Sequence, residues 1–411
     1  MKKLLTILLS VFMALTLVAC GGGNDEPTGK VSVEVWHTYT EGQKAYLEEA
    51  AANFNAEHDD IEVIIKEQAY QGFVDTVYNA VMNNNGPDMI IHYASEAAKY
   101  VPDNKVADLS KYVPSDYAST LAPSVYKEAT SFEDGKLHLL PFFVSGPVMF
   151  IHKGLYEELN LEIPTTWEEL AENSAKIKAA YPEKYGFAVD SKTDVMHALI
   201  SQTDNELIDL KTKTVTFNTP EVAERLEWFG KNVADGLFVL DPSGDYFSND
   251  FNAGLIGSYI GSVAGIPYLE QGTYEVAPIP QGGKVEWTSA WNRGAIVFSY
   301  DDEAREAAAA QFAMYLASPE VNAKFCAVAN YATPYPATAA TETYKAHIAD
   351  NPALESLRPE IGGAIAPITG AATVRKVLET MAASSVGKDA AGIKEILTNG
   401  EAEANAALAG E

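Results

Sequence analysis

The sequence predicts an α/β protein built as two lobes, and three observations carry that expectation. Strand-like and helix-like stretches alternate from residue 30 onward. Extended segments recur near 138–143 and 276–282, where the chain would cross from one body to the other. The chain has 411 residues, and at roughly 100–200 residues per domain that length calls for two hydrophobic cores. Alternation of strand and helix favours a largely parallel sheet in each body.

Residues 1–20 read as an export signal. Lys2 and Lys3 precede an apolar run from Leu4 to Leu17 broken only by Thr6, Ser10 and Thr16. That is the charged-then-apolar layout of a secretory leader, and it is shorter than the roughly 20 apolar residues of a membrane span. It closes on Leu17-Val18-Ala19-Cys20, which resembles the bacterial lipobox. The resemblance implies a diacylglycerol on the Cys20 thiol, removal of the leader and acylation (palmitate) of the new N-terminus. Residues 21–29, opening on Gly21-Gly22-Gly23, read as a flexible tether. The expected location is the outer face of the cell membrane, held by lipid.

The elements follow in order. KVSVEVWH (30–37) places Val31, Val33 and Val35 on one face of a strand. The next twenty residues carry Ala45, Leu47, Ala50, Ala51 and Phe54 at helical spacing, and IEVIIKEQ (61–68) is a second strand. A helix, a Gly86-Pro87 break and a third strand ending at Tyr93 complete the unit. LHLLPFF (137–143) reads as extended and stopped by its proline. VMFIHKGLYEELN (148–160) runs from strand into helix. In PTTWEELAENSAKIKAA (164–180), Thr165 or Thr166 caps a helix whose first turn holds Glu168 and Glu169, where the helix dipole favours acids. YGFAVD (185–190) and IGSYIGS (256–262) are short strands, and VAPIPQGG (276–283) is kept extended by Pro278 and Pro280. Residues 303–329 form one long helix interrupted near Pro319, and the Ala-rich 387–411 is helical. The expected lobes are 30–139 with 280–332, and 140–279 with 333–411.

Composition excludes several functions. A formal charge of −28 argues against nucleic acid, which calls for basic surfaces. After Cys20 only Cys326 remains, so the exported body has no internal disulfide, and Cys326 sits in an apolar helical context. His37, His58, His92, His138, His152 and His197 show no metal-binding spacing. There is no Gly-x-Ser-x-Gly elbow and no phosphate loop, so no catalytic residue, metal or cofactor is expected.

The leader, VWH (35–37), FNAEHDDIEV (54–63), NNGPDMI (84–90), LLPFFVSGPVMFIHKGLYEELNLEIPTTWEEL (139–170), APIPQGG (277–283) and YLASPEVNAKF (315–325) together resemble the extracellular solute-binding proteins of bacterial ABC importers, sugar-binding group. The ordered set spans the mature chain. The resemblance implies the periplasmic-binding-protein-like (type II) fold, whose two α/β lobes are joined by extended crossover segments. It also implies an interlobe cleft that closes on a sugar, polyol or phosphate ester, an ABC permease as partner, and a monomeric body. Within the group the motifs are most similar to the glycerol-3-phosphate-binding branch. That similarity places candidate ligand residues at Trp36, Tyr70, Ser145, Trp167, Gly294, Tyr331 and Arg375. This chain departs from the branch in having Gln71 where an acid is usual, and Arg293 beside Gly294 in place of paired glycines.

Residue chemistry adds its own candidates. Arg375 follows the small residues Gly370, Ala371 and Ala372, and a guanidinium offers two parallel donors to phosphate or carboxylate; the competing reading is a salt bridge. Arg293 is a second cation for an anionic ligand, or a partner for a cleft acid. Trp36, Trp167 and Trp291 are candidate flat platforms for C–H faces of a sugar, with helix packing as the alternative for Trp167. Tyr70, Tyr93 and Tyr331 offer hydroxyls. Ser145-Gly146 offers a hydroxyl and bare amides, and Gly261-Ser262 the same more weakly. The alternatives are a neutral mono- or oligosaccharide in the same fold, a binder that reports to a membrane sensor, and a surface hydrolase of sugar phosphates.

Overall fold

The computed structural model describes residues 29–240 and 246–410. The leader, Cys20 and residues 21–28 of the tether lie outside the described residues. Two five-stranded sheets organise the chain. The first has the order β2-β1-β3-β11-β4, where β1 is Val31–His37, β2 Ile61–Glu67, β3 Met89–Tyr93, β4 Leu140–Ser145 and β11 Trp291–Val297. The second has the order β7-β6-β8-β5-β9, from β5 Pro147–His152, β6 Tyr185–Val189, β7 Phe238–Leu240, β8 Ile256–Ser262 and β9 Tyr274–Ala277. A third, two-stranded sheet pairs β10 (Thr288–Ser289) with β12 (Gly362–Gly363) in parallel.

The valine alternation of the first strand appears as burial of Val33, Val35 and His37, and β1 pairs in parallel with both β2 and β3. Helix α1 (Glu41–Glu57) covers that face with Leu47, Ala50, Ala51 and Phe54, the stripe its spacing predicts. Helix α2 is Phe73–Met82 and α3 is Pro123–Ala129. In the second lobe α4 (Trp167–Ala180) starts at Thr166 with a full capping box: the Thr166 side chain takes the Glu169 N–H and the Glu169 carboxylate returns to the Thr166 N–H. Helices α5 (Lys192–Ser201), α6 (Pro220–Ala234), α10 (Ala371–Ser384) and α11 (Ala390–Leu408) pack around the second core. The expected 303–329 helix is two, α7 (Glu303–Leu316) and α8 (Pro319–Ala329), because Pro319 lacks the N–H that would continue the first. Helix α9 is Glu342–Asp350.

Four sequence expectations differ from the structure. Pro141 does not stop the extended segment but sits inside β4, an edge strand where a missing N–H costs no ladder bond. The first crossing is therefore at Gly146, between β4 of one sheet and β5 of the other, rather than at 139/140. The second crossing is also later than 276–282. Gln281 still bonds to Thr165 and Trp167 of the second lobe, and the chain changes sheet at Ala290, between β10 and β11. Residues 333–350 do not join the second lobe, since the Tyr335 hydroxyl donates to the Pro141 carbonyl and α9 packs on α8; the chain reaches the second sheet again at Pro352–Ser356, beside β9, just before β12. All three crossings meet at one place. A side chain on Gly146 would lie 2.8 Å from the Ser289 carbonyl, and Ala290 N–H donates to the Gly363 carbonyl at 2.9 Å.

Candidate functional site

In each lobe the parallel strands end on the side where the crossings meet, so their C-terminal ends frame the cleft, the usual ligand position in open α/β sheets. Tyr93 is the last residue of β3, and Trp291 opens β11 opposite Ser145, the last residue of β4. These ends bring Tyr93, Ser95, Glu128 and Trp291 of the first lobe against Ile365, Pro367 and Arg375 of the second, around a pocket of about 230 Å³. Arg375 projects from the first turns of α10, which begins at Gly370 in a left-handed conformation (φ 84°). A Cβ there would fall 2.4 Å from the Ala407 carbonyl, so glycine lets α10 pack on α11. The half-buried Arg375 guanidinium makes no hydrogen bond or ion pair with any described residue.

Behind Tyr93 lies a second cation. Arg293 pairs with Tyr93 across β11 and β3. Its guanidinium stacks 5.1 Å from the Tyr39 ring and 5.7 Å from the Tyr93 ring. Tyr331 lies near enough to act electrostatically on both Arg293 and Tyr93, and its ring is 5.2 Å from that of Phe143. Burial pushes the Tyr39 hydroxyl up to about 12 against the pull of Arg293. Burial, and then Arg293, bring His92 down to about 4. Arg293 is thus enclosed by three tyrosines of its own lobe, and its buried Nε has no hydrogen-bond partner among the described residues.

A polar cluster backs the pocket, with Asp194 and His197 buried and Glu128 half-buried. Glu128 on α3 accepts the Asn292 N–H at 3.0 Å and is pushed up to about 8, chiefly by burial, while that N–H and Arg375 pull the other way. Asp194 and His197 on α5 also lie in the field of Arg375. Burial raises the Asp194 carboxyl, and burial lowers His197 to about 3 with Arg375 adding to the shift. The His197 ring lies 4.2 Å from that of Trp287. Sequence reasoning missed Glu128, Ser95, Ile365 and Pro367. Glu128 is one acid among many in an acidic chain, and only the fold sets it, half-buried, in the pocket wall.

The structure brings Tyr93, Trp291, Ser145, Arg293, Tyr331 and Arg375 to the cleft side, where Tyr70 and Ser262 also lie beyond their strand ends, and it turns Trp36, Trp167 and Gly294 to other contacts. The Trp36 indole N–H turns back along its strand to Glu34, toward the end of the sheet away from the cleft. Trp167 is 1% exposed in the second core, where it donates to Gln202 Oε1 at 2.7 Å and packs edge-on to Trp228, so its role is helix packing. Gly294 is a packing position. A Cβ would meet the Leu140 carbonyl at 2.0 Å, next to the register shift between β11 and β4. Ser262 caps the turn after β8 by accepting the Ala264 N–H. Gly261 lets the Tyr259 ring and the Asp190 carboxylate close in. Tyr70 is 85% exposed on the turn before α2, close enough to act on Tyr93, and Gln71 beside it is exposed. Cys326 is a buried free thiol whose proton burial holds on, as its apolar context predicts. Among the described residues no helix is long and apolar enough to cross a membrane, and no group of three metal-ligating side chains occurs.

A family model described as bacterial extracellular solute-binding protein matches residues 49–355. A protein of Brucella abortus described as a binding protein is 25% identical over 276 residues, 64% of this chain; the chain thus spans under two thirds of that relative's length, also 64%. An sn-glycerol-3-phosphate-binding periplasmic protein of Yersinia enterocolitica is 21% identical over 342 residues, 77% of this chain and 76% of that one. Among solved structures, the cyclic alpha-maltosyl-1,6-maltose binding protein from Arthrobacter globiformis superposes with a TM-score of 0.79 at 20% identity, over 93% of this chain and all of that one. A sugar-binding protein of Xanthomonas citri does so with a TM-score of 0.74 at 18% identity, over 91% and 97%. These likenesses establish the type II two-lobed fold.

Proposed function

Since the chain belongs to the bacterial extracellular solute-binding proteins, we propose that it captures a hydroxyl-rich solute bearing an anionic group, a sugar or polyol phosphate, between its lobes and delivers it to an ABC permease. The observation that carries this reading is Arg375: a guanidinium in the interlobe pocket with no hydrogen-bond or ion-pair partner among the described residues, facing Trp291 and Tyr93 across the cleft. A planar fork of donors left open in a partly dry pocket suits a phosphate. Trp291 supplies a face for the carbon skeleton, and Tyr93 and Ser145 supply polar atoms for its hydroxyls. Glu128, neutral below about pH 8, does not repel an anion there. Closure follows from differential contact: a solute that touches Trp291 on one lobe and Arg375 on the other favours the closed form by what it gains from the second lobe. Cys20 would carry the lipid that keeps the body at the membrane.

Calorimetric titration with sn-glycerol 3-phosphate and with maltose tests the reading. The phosphate ester is expected to bind, and Arg375→Ala to weaken it by about 100-fold or more, the loss of two charge-assisted hydrogen bonds at roughly 1.5–3 kcal/mol each. A neutral oligosaccharide is the second reading. It is favoured by the Glu128 carboxyl, a hydroxyl acceptor when ionised, and by what the two structural relatives are named for. In that case maltose-type sugars bind, and Arg375→Ala costs tenfold or less. Capture without turnover is checked by incubating the protein with the ester and finding no released phosphate.

A further inference from the structure

Glu128 is the only carboxyl group in the wall of the interlobe pocket among the described residues. It also lines a cavity of about 350 Å³ on its other side, together with His197 and Trp287. Its Oε2 accepts the Asn292 N–H, and no other hydrogen bond to its carboxyl occurs among the described residues. Arg375 faces it from the other lobe, near enough to act on its proton. The two groups and the proposed anion therefore compete for one small space. We propose that Glu128 is a specificity-determining residue that admits an anionic solute to Arg375 only while it holds a proton. Protonated, the carboxyl donates to the anion; ionised, it occupies the guanidinium itself and repels the anion. The inference rests on the phosphate reading above.

The charged neighbours are few. Lys127, on the same helix, is engaged by Glu206 of the second lobe at 2.6 Å. From α5, Asp194 and His197 face the same guanidinium. Burial takes His197 down to about 3, so its charge is constant at neutral and alkaline pH. Burial raises Asp194, which makes it the rival source of any linked proton. From β3, burial raises the Tyr93 hydroxyl. Burial lifts Glu128 to about 8, which puts its proton in a range where binding can be measured.

The test is calorimetric titration between pH 7 and pH 9 with two probes, sn-glycerol 3-phosphate and diglycerol phosphodiester. The first loses its second proton near about pH 6, and the second carries one charge throughout. Wild type and Asp194→Asn are expected to lose about tenfold in affinity for both probes over this range, the loss given by one proton that leaves near pH 8. Glu128→Gln is expected to stay flat within about twofold and to bind tighter than wild type at pH 9. Buffers of different ionisation enthalpy give a second readout on the unaltered protein: uptake of about one proton per ligand at pH 9. Parallel pH slopes in wild type and Glu128→Gln, or no proton uptake, overturn the gate and leave the phosphate reading standing. A slope lost in Asp194→Asn and kept in Glu128→Gln moves the proton off Glu128 and overturns the assignment. No binding of either probe at any pH, with a neutral sugar bound instead, overturns both.

Discussion

Trp291 and Trp167 show how one side chain type takes two fates in the same chain. Trp291 is half-exposed at the cleft, whereas Trp167 is sealed in the second core against Gln202 and Trp228. Trp291→Ala is expected to weaken solute binding by tenfold or more and to leave the urea midpoint nearly unchanged. Trp167→Ala is expected to cost about 3–5 kcal/mol of stability, because it leaves a large void and orphans a buried amide; paired urea melts and titrations separate the two. Both tryptophans stand out in the sequence, and nothing local tells them apart, since exposure depends on what packs across the lobe. The place of Arg375 at the cleft agrees with its chemistry and with the small residues before it. Glu128 was not legible: its place in the pocket wall comes from α3 lying against the returning β12 segment, a contact made over more than two hundred residues of sequence.

At the scale of elements, most of the architecture was legible because apolar periodicity and caps act locally. Val33 and Val35 mark a strand, Leu47 to Phe54 a helix face, and Thr166 with Glu169 a helix start. Thr166→Ala should remove the capping box and cost about 1 kcal/mol, read as a shifted urea midpoint with an unchanged slope. The crossings were misplaced by several residues because long-range pairing fixes them. Thr288 pairs with Gly362 and Ser289 with Gly363, partners no window of sequence brings together. Gly294 belongs to the same lesson. A motif made it a ligand contact, while the structure makes it the point where β11 passes Leu140 without a side chain. Gly294→Ala is expected to lower stability by about 2 kcal/mol or more by forcing those strands apart, with altered far-ultraviolet dichroism rather than a selective loss of affinity.

For the molecule as a whole, the Glu128 proton gives a pH dependence whose sign can be worked out. The folded-state value of Glu128, about 8, lies above its ordinary value of 4.5. Between the two, the folded protein keeps a proton that the unfolded chain has released, so stability falls as pH rises through that window and is flat beyond it. Glu128→Gln should therefore be nearly neutral at pH 5 and stabilising at pH 9, with a melting temperature several degrees above wild type at the higher pH. Lobe closure is also a property of the whole: small-angle scattering should show a smaller radius of gyration when sn-glycerol 3-phosphate is added, and no change for Arg375→Ala.

The first strand runs from Val31 at the far edge of its sheet to His37 at the cleft, so the polypeptide enters the body by its heel. A fatty mooring at Cys20 would be joined to Lys30 by about ten residues, a leash no longer than about 35 Å at full stretch. The strand alone rises about 23 Å from heel to mouth. Were Cys20 the mooring, the heel and not the mouth would lie nearest the bilayer, and a catch could meet the membrane only after the body swung over on its line.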